Sequence, residues 1–371
     1  MKDVMLWAGA GQIGMAIARR MGAGMKIVVG DKELENAQAI AKTMNEAGFD
    51  VTPVEMDLSS RSSIKALIAE GQKYGEIKML VNAAGVSPSQ APIEAILKVD
   101  LYGTAVLLEE VGRVIAPGGV GVTISSQSCW RMPALTAEQD EKLATTPTEE
   151  LLSLDFLQPE NIRDTLHAYQ MAKRCNEKRV TAQAVEWGTR GARLNDIAPG
   201  IIVTPLALDE FSGPRSDFYK NMFAKCPAGR PGTADEVANV AELLMSDKGA
   251  FITGSTFLID GGATASYFCG PLRPEKSMIF PPLSQKSGRV AGAFRWLCRF
   301  FYSNLLLAFC LDRLHTEEEV DEVAEPHNSE NSAGNVERFS QHQEKADGHQ
   351  QRHRRQNAGL GLRGHALFLH E

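Results

Sequence analysis

Through the first part of the chain, short apolar runs alternate with stretches of helical spacing. "VMLWA" (4–8) precedes a helical pattern over 12–21, "KIVVG" (26–30) one over 33–46, and "VTPVEM" (51–56) one over 60–72. "KMLVN" (78–82) leads, after a loop, to a long helix near 92–115, and "GVTISS" (121–126) is the fifth run. Near-continuous Val, Ile, Leu and Met without polar alternation marks strands buried on both faces, as in a parallel sheet. The pattern stalls over 127–165, then resumes with a helix near 165–188, "ARLNDIA" (192–198), a helix near 234–245 and "STFLID" (255–260). Strands spaced by helices predict an α/β fold of Rossmann type, a doubly wound parallel sheet of seven strands in one domain over residues 1–270. Inside 127–165, "TAEQDEKLAT" (136–145) predicts a helix, and Thr148 is a candidate N-cap for "TPTEELLSL" (146–154).

Beyond about residue 270 the character changes. Residues 290–311 are apolar and aromatic, yet only Phe300 to Leu311 are free of charge. That is shorter than the roughly 18 residues needed to span a bilayer. Residues 316–371 are charged, rich in His and Gln, and expected to be disordered. The N-terminal "MKDVMLWAGAG" reads as a buried strand, since its apolar run is too short for a signal peptide.

Composition narrows the function classes. The chain has 371 residues, 43% hydrophobic and 23% charged, with a formal net charge of −7. It offers no basic field for nucleic acid or an acidic membrane. Six scattered cysteines with no CxxC pair fit a reducing compartment and a cytoplasmic protein. Seven of the eight histidines lie after residue 314, and no HExxH occurs, so no metal site is expected in the main body.

The first strand runs into "AGAGQIGMA". Gly9 would make a tight turn, Gly11 would admit a pyrophosphate against the backbone, and Gly14 would let the helix close on the sheet. Gln12, Ile13 and Gly14 then form the helix N-terminus that faces the phosphates. Asp31 ends the second strand; its carboxylate would accept hydrogen bonds from ribose hydroxyls and repel a 2′-phosphate. That points to NAD. Lys32 beside it would offset part of the repulsion, so NADP remains open. Asp31 could also cap the helix starting at Glu33.

Tyr169 and Lys173 sit one helical turn apart in "YQMAK". Free tyrosine ionises near 10, and an adjacent ammonium would lower that value toward working pH. Tyr74 and Lys78 share the spacing, but their stretch crosses Gly75 into a strand, where the side chains should diverge.

Taken together, the glycine loop, "MDLSS" (56–60), "NAAG" (82–85), "ISS" (124–126), "YQMAK" (169–173), "RLNDIAPGIIVTPL" (193–206) and "IDGG" (259–262) resemble the short-chain dehydrogenase/reductase family, in the family's order, over about residues 1–270. The resemblance implies Tyr169 as the acid or base on the substrate oxygen, Lys173 as its tuning cation and ribose ligand, and Ser126 as a hydrogen-bond donor to that oxygen, with Ser125 and Ser128 as fallbacks. It implies Asp57 and Leu58 at the adenine, Asn82, Ala83 and Gly85 beside the cofactor, and Pro199, Gly200, Ile202 and Thr204 at the nicotinamide. Family members form dimers or tetramers through the helices that here hold 92–115 and 165–188, so a homodimer or homotetramer is expected.

Three departures stand out. Ala8 replaces a usual threonine in a shortened loop; Asp100 replaces an asparagine that helps hold a relay water; and Ser126 and Tyr169 are 43 residues apart instead of about a dozen. A similar insertion occurs in bacterial 3α-hydroxysteroid dehydrogenase/carbonyl reductase, where it is helical and shapes the subunit interface. "LALDEFSGPRSDFYKNMFAKCPAGR" (206–230) carries Leu206, Leu208, Phe211, Phe218, Met222 and Phe223, which read either as an amphipathic lid or as a core helix pair. The expected activity is NAD(P)-dependent interconversion of a secondary alcohol and a ketone. The alternatives are a non-catalytic dinucleotide sensor of the same fold and, with less support, a nucleotide-sugar epimerase.

Overall fold

The computed structural model describes residues 2–212 and 216–274, all within one compact unit. The apolar stretch 290–311 and the tail 316–371 lie outside the described residues. The elements run β1 (Lys2–Ala8), α1 (Gln12–Met21), β2 (Lys26–Asp31), α2 (Leu34–Glu46), β3 (Asp50–Glu55), α3 (Arg61–Gln72), β4 (Gly75–Asn82), α4 (Ile93–Ile96), α5 (Thr104–Gly112), β5 (Val120–Ile124), α6 (Ala137–Thr145), α7 (Thr165–Gly188), β6 (Arg193–Pro199), α8 (Pro205–Ser212), α9 (Ser216–Lys225), α10 (Ala234–Met245), β7 (Thr256–Ile259) and α11 (Ala263–Cys269).

The seven strands form one sheet in the order β3-β2-β1-β4-β5-β6-β7, every pairing parallel. The order reverses between β1 and β4, which opens a crevice beyond their carboxyl ends. Alternation within each strand supplies two cores. Met5, Trp7, Ile27, Val29 and Ile197 pack against α1, α2 and α10. Val4, Leu6, Val28, Leu80 and Leu194 pack against α3, α5 and α7. Two fully buried tryptophans anchor the faces. Each also satisfies its indole N–H: Trp7 donates to Gly9 O at 2.6 Å and Trp187 to Leu108 O at 3.2 Å.

The long helix expected near 92–115 is not continuous. Between α4 and α5, Leu97–Gly103 winds as a π-helix, the single-turn irregularity that accommodates an extra residue. Its last residue, Gly103, is pressed on the Leu58 carbonyl, which a Cβ would approach to 2.3 Å.

In the 127–165 insertion, α6 begins at a capping box: Thr136 accepts from Gln139 N–H, and Gln139 returns the bond. Thr148 is not an N-cap as expected; it is buried inside a short 3-10 helix, Thr148–Ser153, that starts after Pro147. Leu143, Leu151, Leu157 and Ile162 of the insertion form a third core with Leu97, Leu101, Ala168, Met171 and Cys175. The insertion therefore roofs the π-turn and the first half of α7. Arg174 fixes it there, its guanidinium pairing both oxygens of Asp140 at 3.0 and 2.6 Å. Among the described residues, no helix is long and apolar enough to cross a membrane.

Candidate active site

The crevice is built on glycine contacts. Gly9 adopts φ +87°, and a Cβ there would lie 2.5 Å from Ala84 Cα, so the loop after β1 rests directly on the loop after β4. Gly14 packs on Trp7; a Cβ would lie 2.1 Å from its indole nitrogen. A Cβ on Gly11, by contrast, would meet nothing within 4 Å, leaving open space over the start of α1. Gln12, Ile13 and Gly14 form that helix N-terminus, which has neither a side-chain cap nor an acidic residue in its first turn. Free N–H groups beside an open glycine suit an anion such as a pyrophosphate.

Asp31 ends β2 beside this loop. Its Oδ2 accepts from Ala10 N–H at 2.8 Å and its Oδ1 from Glu33 N–H at 3.0 Å. It does not cap α2, whose N-cap position is Glu33. Lys32 is exposed. Asp57 Oδ1 is bonded by Ser59 N–H and Oγ at 2.8 and 2.7 Å. Burial acts against its charge, but these bonds, with Lys32 and Lys98 nearby, hold the carboxyl below its ordinary range. Leu58 is buried. The cradle thus fits a dinucleotide: an uncapped helix end for phosphates and two charged carboxylates toward one side.

On the other side, α7 carries Tyr169 and Lys173. The helix starts at Asp164, which accepts from His167 N–H at 2.7 Å. The Lys173 ammonium is 5.3 Å from the Tyr169 ring centroid, 3.3 Å from Ile124 O and 3.6 Å from Asp100 Oδ2. Asp100 projects from the π-turn and is fully buried; its Oδ1 accepts from Val86 N–H at 2.8 Å, while Oδ2 has no hydrogen-bond partner. The Asn176 amide donates to the Asp100 main-chain carbonyl at 2.8 Å, so α7 grips the π-turn twice. Gly85 covers this pair: a Cβ would come within 3.2 Å of Asp100 Oδ1 and 3.3 Å of Lys173 Nζ. Tyr74 and Lys78 do diverge: the phenol donates to Glu70 and the amine pairs with Glu76.

The electrostatics differ from the expectation in one respect. Lys173 does pull the Tyr169 phenol toward ionisation, as does the Ser126 hydroxyl. Burial outweighs both, and Asp100 adds to it, so the phenol is held above its ordinary value rather than below. Burial likewise raises Asp100 against the pull of Lys173. Burial works to lower Lys173, but Asp100 and Tyr169 prevail and keep it firmly charged.

Of the three serines, Ser126 is the one set against Tyr169. Its Oγ accepts from Ser128 N–H at 3.2 Å. The Ser125 hydroxyl is committed to Asp196 Oδ2 at 2.5 Å, and Ser128 is buried with its hydroxyl unbonded. Asn82 turns inward, donating to Thr123 at 3.1 Å and Thr104 at 3.4 Å, and Ala83 N–H continues the β1–β4 ladder onto Ala8 O.

After β6, Pro199 leads to Gly200 and Ile202, which line a cavity of about 160 Å³ with Gln127, Met222, Phe223 and Asp260. Thr204 is not in that lining; its hydroxyl accepts from Ala207 N–H at the start of α8. The α8–α9 pair is apolar on both its buried and its exposed side. Met222 is buried on the cavity, whereas Leu208 and Phe218 are exposed. Phe211 packs edge-on against Tyr219 and Phe223, with centroids 5.2 and 5.4 Å apart.

Sequence reasoning missed Asp196, read only as part of the core run 192–198. A carboxylate at the centre of a strand whose positions are nearly all buried was the available signal.

Two family patterns match the chain: "short chain dehydrogenase" over residues 2–137 and "Enoyl-(Acyl carrier protein) reductase" over 133–264. A short-chain dehydrogenase/reductase of Alternaria brassicicola is 36% identical over 263 residues, covering 69% of this chain and 94% of its own. The chain belongs to the short-chain dehydrogenase/reductase family. D-threitol dehydrogenase of Mycolicibacterium smegmatis is 29% identical over 273 residues, 71% of this chain and 93% of its own. The crystal structure of levodione reductase superposes with a TM-score of 0.58 at 23% identity, covering 71% of this chain and 98% of that one, a likeness of fold. This family member is an NAD(P)-dependent oxidoreductase with the seven-stranded Rossmann-type sheet.

Proposed function

We propose that the protein interconverts a secondary alcohol and a ketone with NAD as the preferred cofactor, using Tyr169, Lys173 and Ser126. The observation that carries this reading is convergence: the phenol, the ammonium and the serine hydroxyl meet at the carboxyl end of β5, one glycine contact away from the phosphate loop. Gly9, Gly11 and the first turn of α1 would hold the pyrophosphate, and Asp31 and Asp57 the adenosine. When bound, the nicotinamide supplies or accepts the hydride.

The chain's own residues handle the oxygen and its proton. In reduction, Tyr169 donates its proton to the substrate oxygen while Ser126 hydrogen-bonds it. In oxidation Tyr169 takes the proton back, with Lys173 stabilising the phenolate. A phenol held above its ordinary value is protonated at neutral pH and so stands ready as the proton donor for reduction, while oxidation needs the phenolate. The cavity after β6 has a mixed wall, Ile202, Met222 and Phe223 beside Gln127, Arg230, Glu236 and Asp260, so it suits a substrate with both apolar and polar parts. Relatives named as dehydrogenases of D-threitol and reductases of levodione support the alcohol–ketone class. Asp31 supports NAD over NADP by charge, its carboxylate being fixed by two backbone N–H groups. A location in the cytoplasm and self-association belong to this reading too. The insertion already covers the first half of α7, so a second copy is left its far half, where Val185 is 72% exposed.

The test is a panel of secondary alcohols and ketones with NAD and NADP, followed through nicotinamide absorbance. Tyr169→Phe should lower turnover by about 100-fold or more while calorimetric binding of the dinucleotide persists. Dinucleotide binding without turnover across the panel favours the sensor reading instead.

A further inference from the structure

One buried acid has no task in this scheme. Asp196 lies mid-way along β6 and is fully buried. The register sets it between Thr123 of β5 and Thr256 of β7, on the face that meets α7. Its Oδ2 accepts from Ser125 Oγ at 2.5 Å, and its Oδ1 has no hydrogen-bond partner. The residues on either side of Ser125 are already engaged: Ile124 O holds Lys173, and Ser126 meets Tyr169. Three consecutive residues at the end of β5 thus hold the lysine, the buried acid and the tyrosine in turn.

The titratable groups that bear on Asp196 are Lys173 and Glu177 from α7 and the Cys129 thiol after β5. β5 and β7 contribute only the hydroxyls of Thr123, Ser125 and Thr256. Lys173 is therefore shared by two buried carboxyls, Asp100 and Asp196. One ammonium cannot balance two carboxylates in a dry interior, so the site retains an extra proton near neutrality.

We propose that Asp196 is a positioning residue of this active site: it fixes the end of β5 through Ser125, and its charge, acting through Lys173, sets the pH at which Tyr169 releases its proton. The proposal rests on the Tyr169–Lys173–Ser126 reading. Burial, with Glu177, lifts the carboxyl to about 7 against the pull of Ser125 and Lys173. Below that pH the acid is neutral and adds nothing to the burial and the Asp100 charge that oppose the pull of Lys173 on the phenol. Above it the new negative charge weakens that pull, and the phenol keeps its proton to higher pH. Alcohol oxidation, which needs the phenolate, should then rise only at a more alkaline pH.

Asp196→Asn keeps the shape and removes the charge. In this variant the pH profile of kcat for alcohol oxidation should move to lower pH by about one unit. A profile superimposable on that of the unsubstituted enzyme would overturn the proposal. A second readout needs no turnover. Infrared difference spectra between about pH 5 and about pH 9 should show a carboxylic acid C=O band that vanishes with a midpoint near 7, and that Asp196→Asn lacks. If the unsubstituted protein shows no such band, the proposal fails even should the variant not fold. Loss of the Tyr169 reading would show separately, as turnover that survives Tyr169→Phe.

Discussion

At the scale of single residues, the charges that matter are fixed by backbone rather than by one another. Asp31 is held by the N–H groups of Ala10 and Glu33, Asp100 by that of Val86, and Lys173 by the carbonyl of Ile124. Side chains tied this way have little freedom to move away from a ligand, so a change of charge is felt in full. Asp31→Ser should raise the ratio of kcat/KM for NADP over NAD by about ten-fold or more, equivalent to about 1.4 kcal/mol. Steady-state kinetics with both dinucleotides measure it, and an unchanged ratio would remove Asp31 from the cofactor site. Residue identity was legible where spacing carries chemistry, as at Gly9, Gly11, Tyr169 and Lys173. Asp196 escaped because strand burial depends on which face a position takes and what stands across from it, and neither Ser125 nor Lys173 is near it in sequence.

At the scale of elements, α7 and the strands were legible to within a residue or two, except that β4 begins three residues early at Gly75, since continuous apolar runs and helical periodicity are local signals. The π-turn was not, because seven residues of altered winding barely disturb a helical pattern. Nor was the place of Thr148, which is buried at the start of a 3-10 helix with its hydroxyl toward Glu109, a residue far off in the sequence. The insertion is held by its own apolar residues on α7, so truncating one should have a measurable cost. Leu143 is fully buried among them. Leu143→Ala should lower unfolding free energy by about 2–5 kcal/mol. Urea denaturation followed by circular dichroism measures it; a loss below about 1 kcal/mol would show that the roof packs only loosely.

At the scale of the whole molecule, a polar row crosses the sheet in register: Asn82 beside Thr123, Thr123 beside Asp196, Asp196 beside Thr256. Such a row makes stability depend on pH in an unusual direction. Asp196 binds a proton up to about pH 7 when folded, but only up to its ordinary value of 3.8 when unfolded. Between those values the folded state holds more protons, so this residue's contribution to stability falls as pH rises and is fully lost above the upper one. Asp196→Asn should therefore gain stability over the unsubstituted protein as pH rises from about 5 to about 8. Paired urea titrations at the two pH values measure the gain, and an equal difference at both would contradict it.

The glycine contacts have a mechanical consequence. No side chain stands between Gly9 and Ala84, nor between Gly85 and the Lys173 amine. A side chain introduced at Gly9 would be driven into the Ala84 backbone, so the place where the two loops meet admits no larger residue unless one loop gives way.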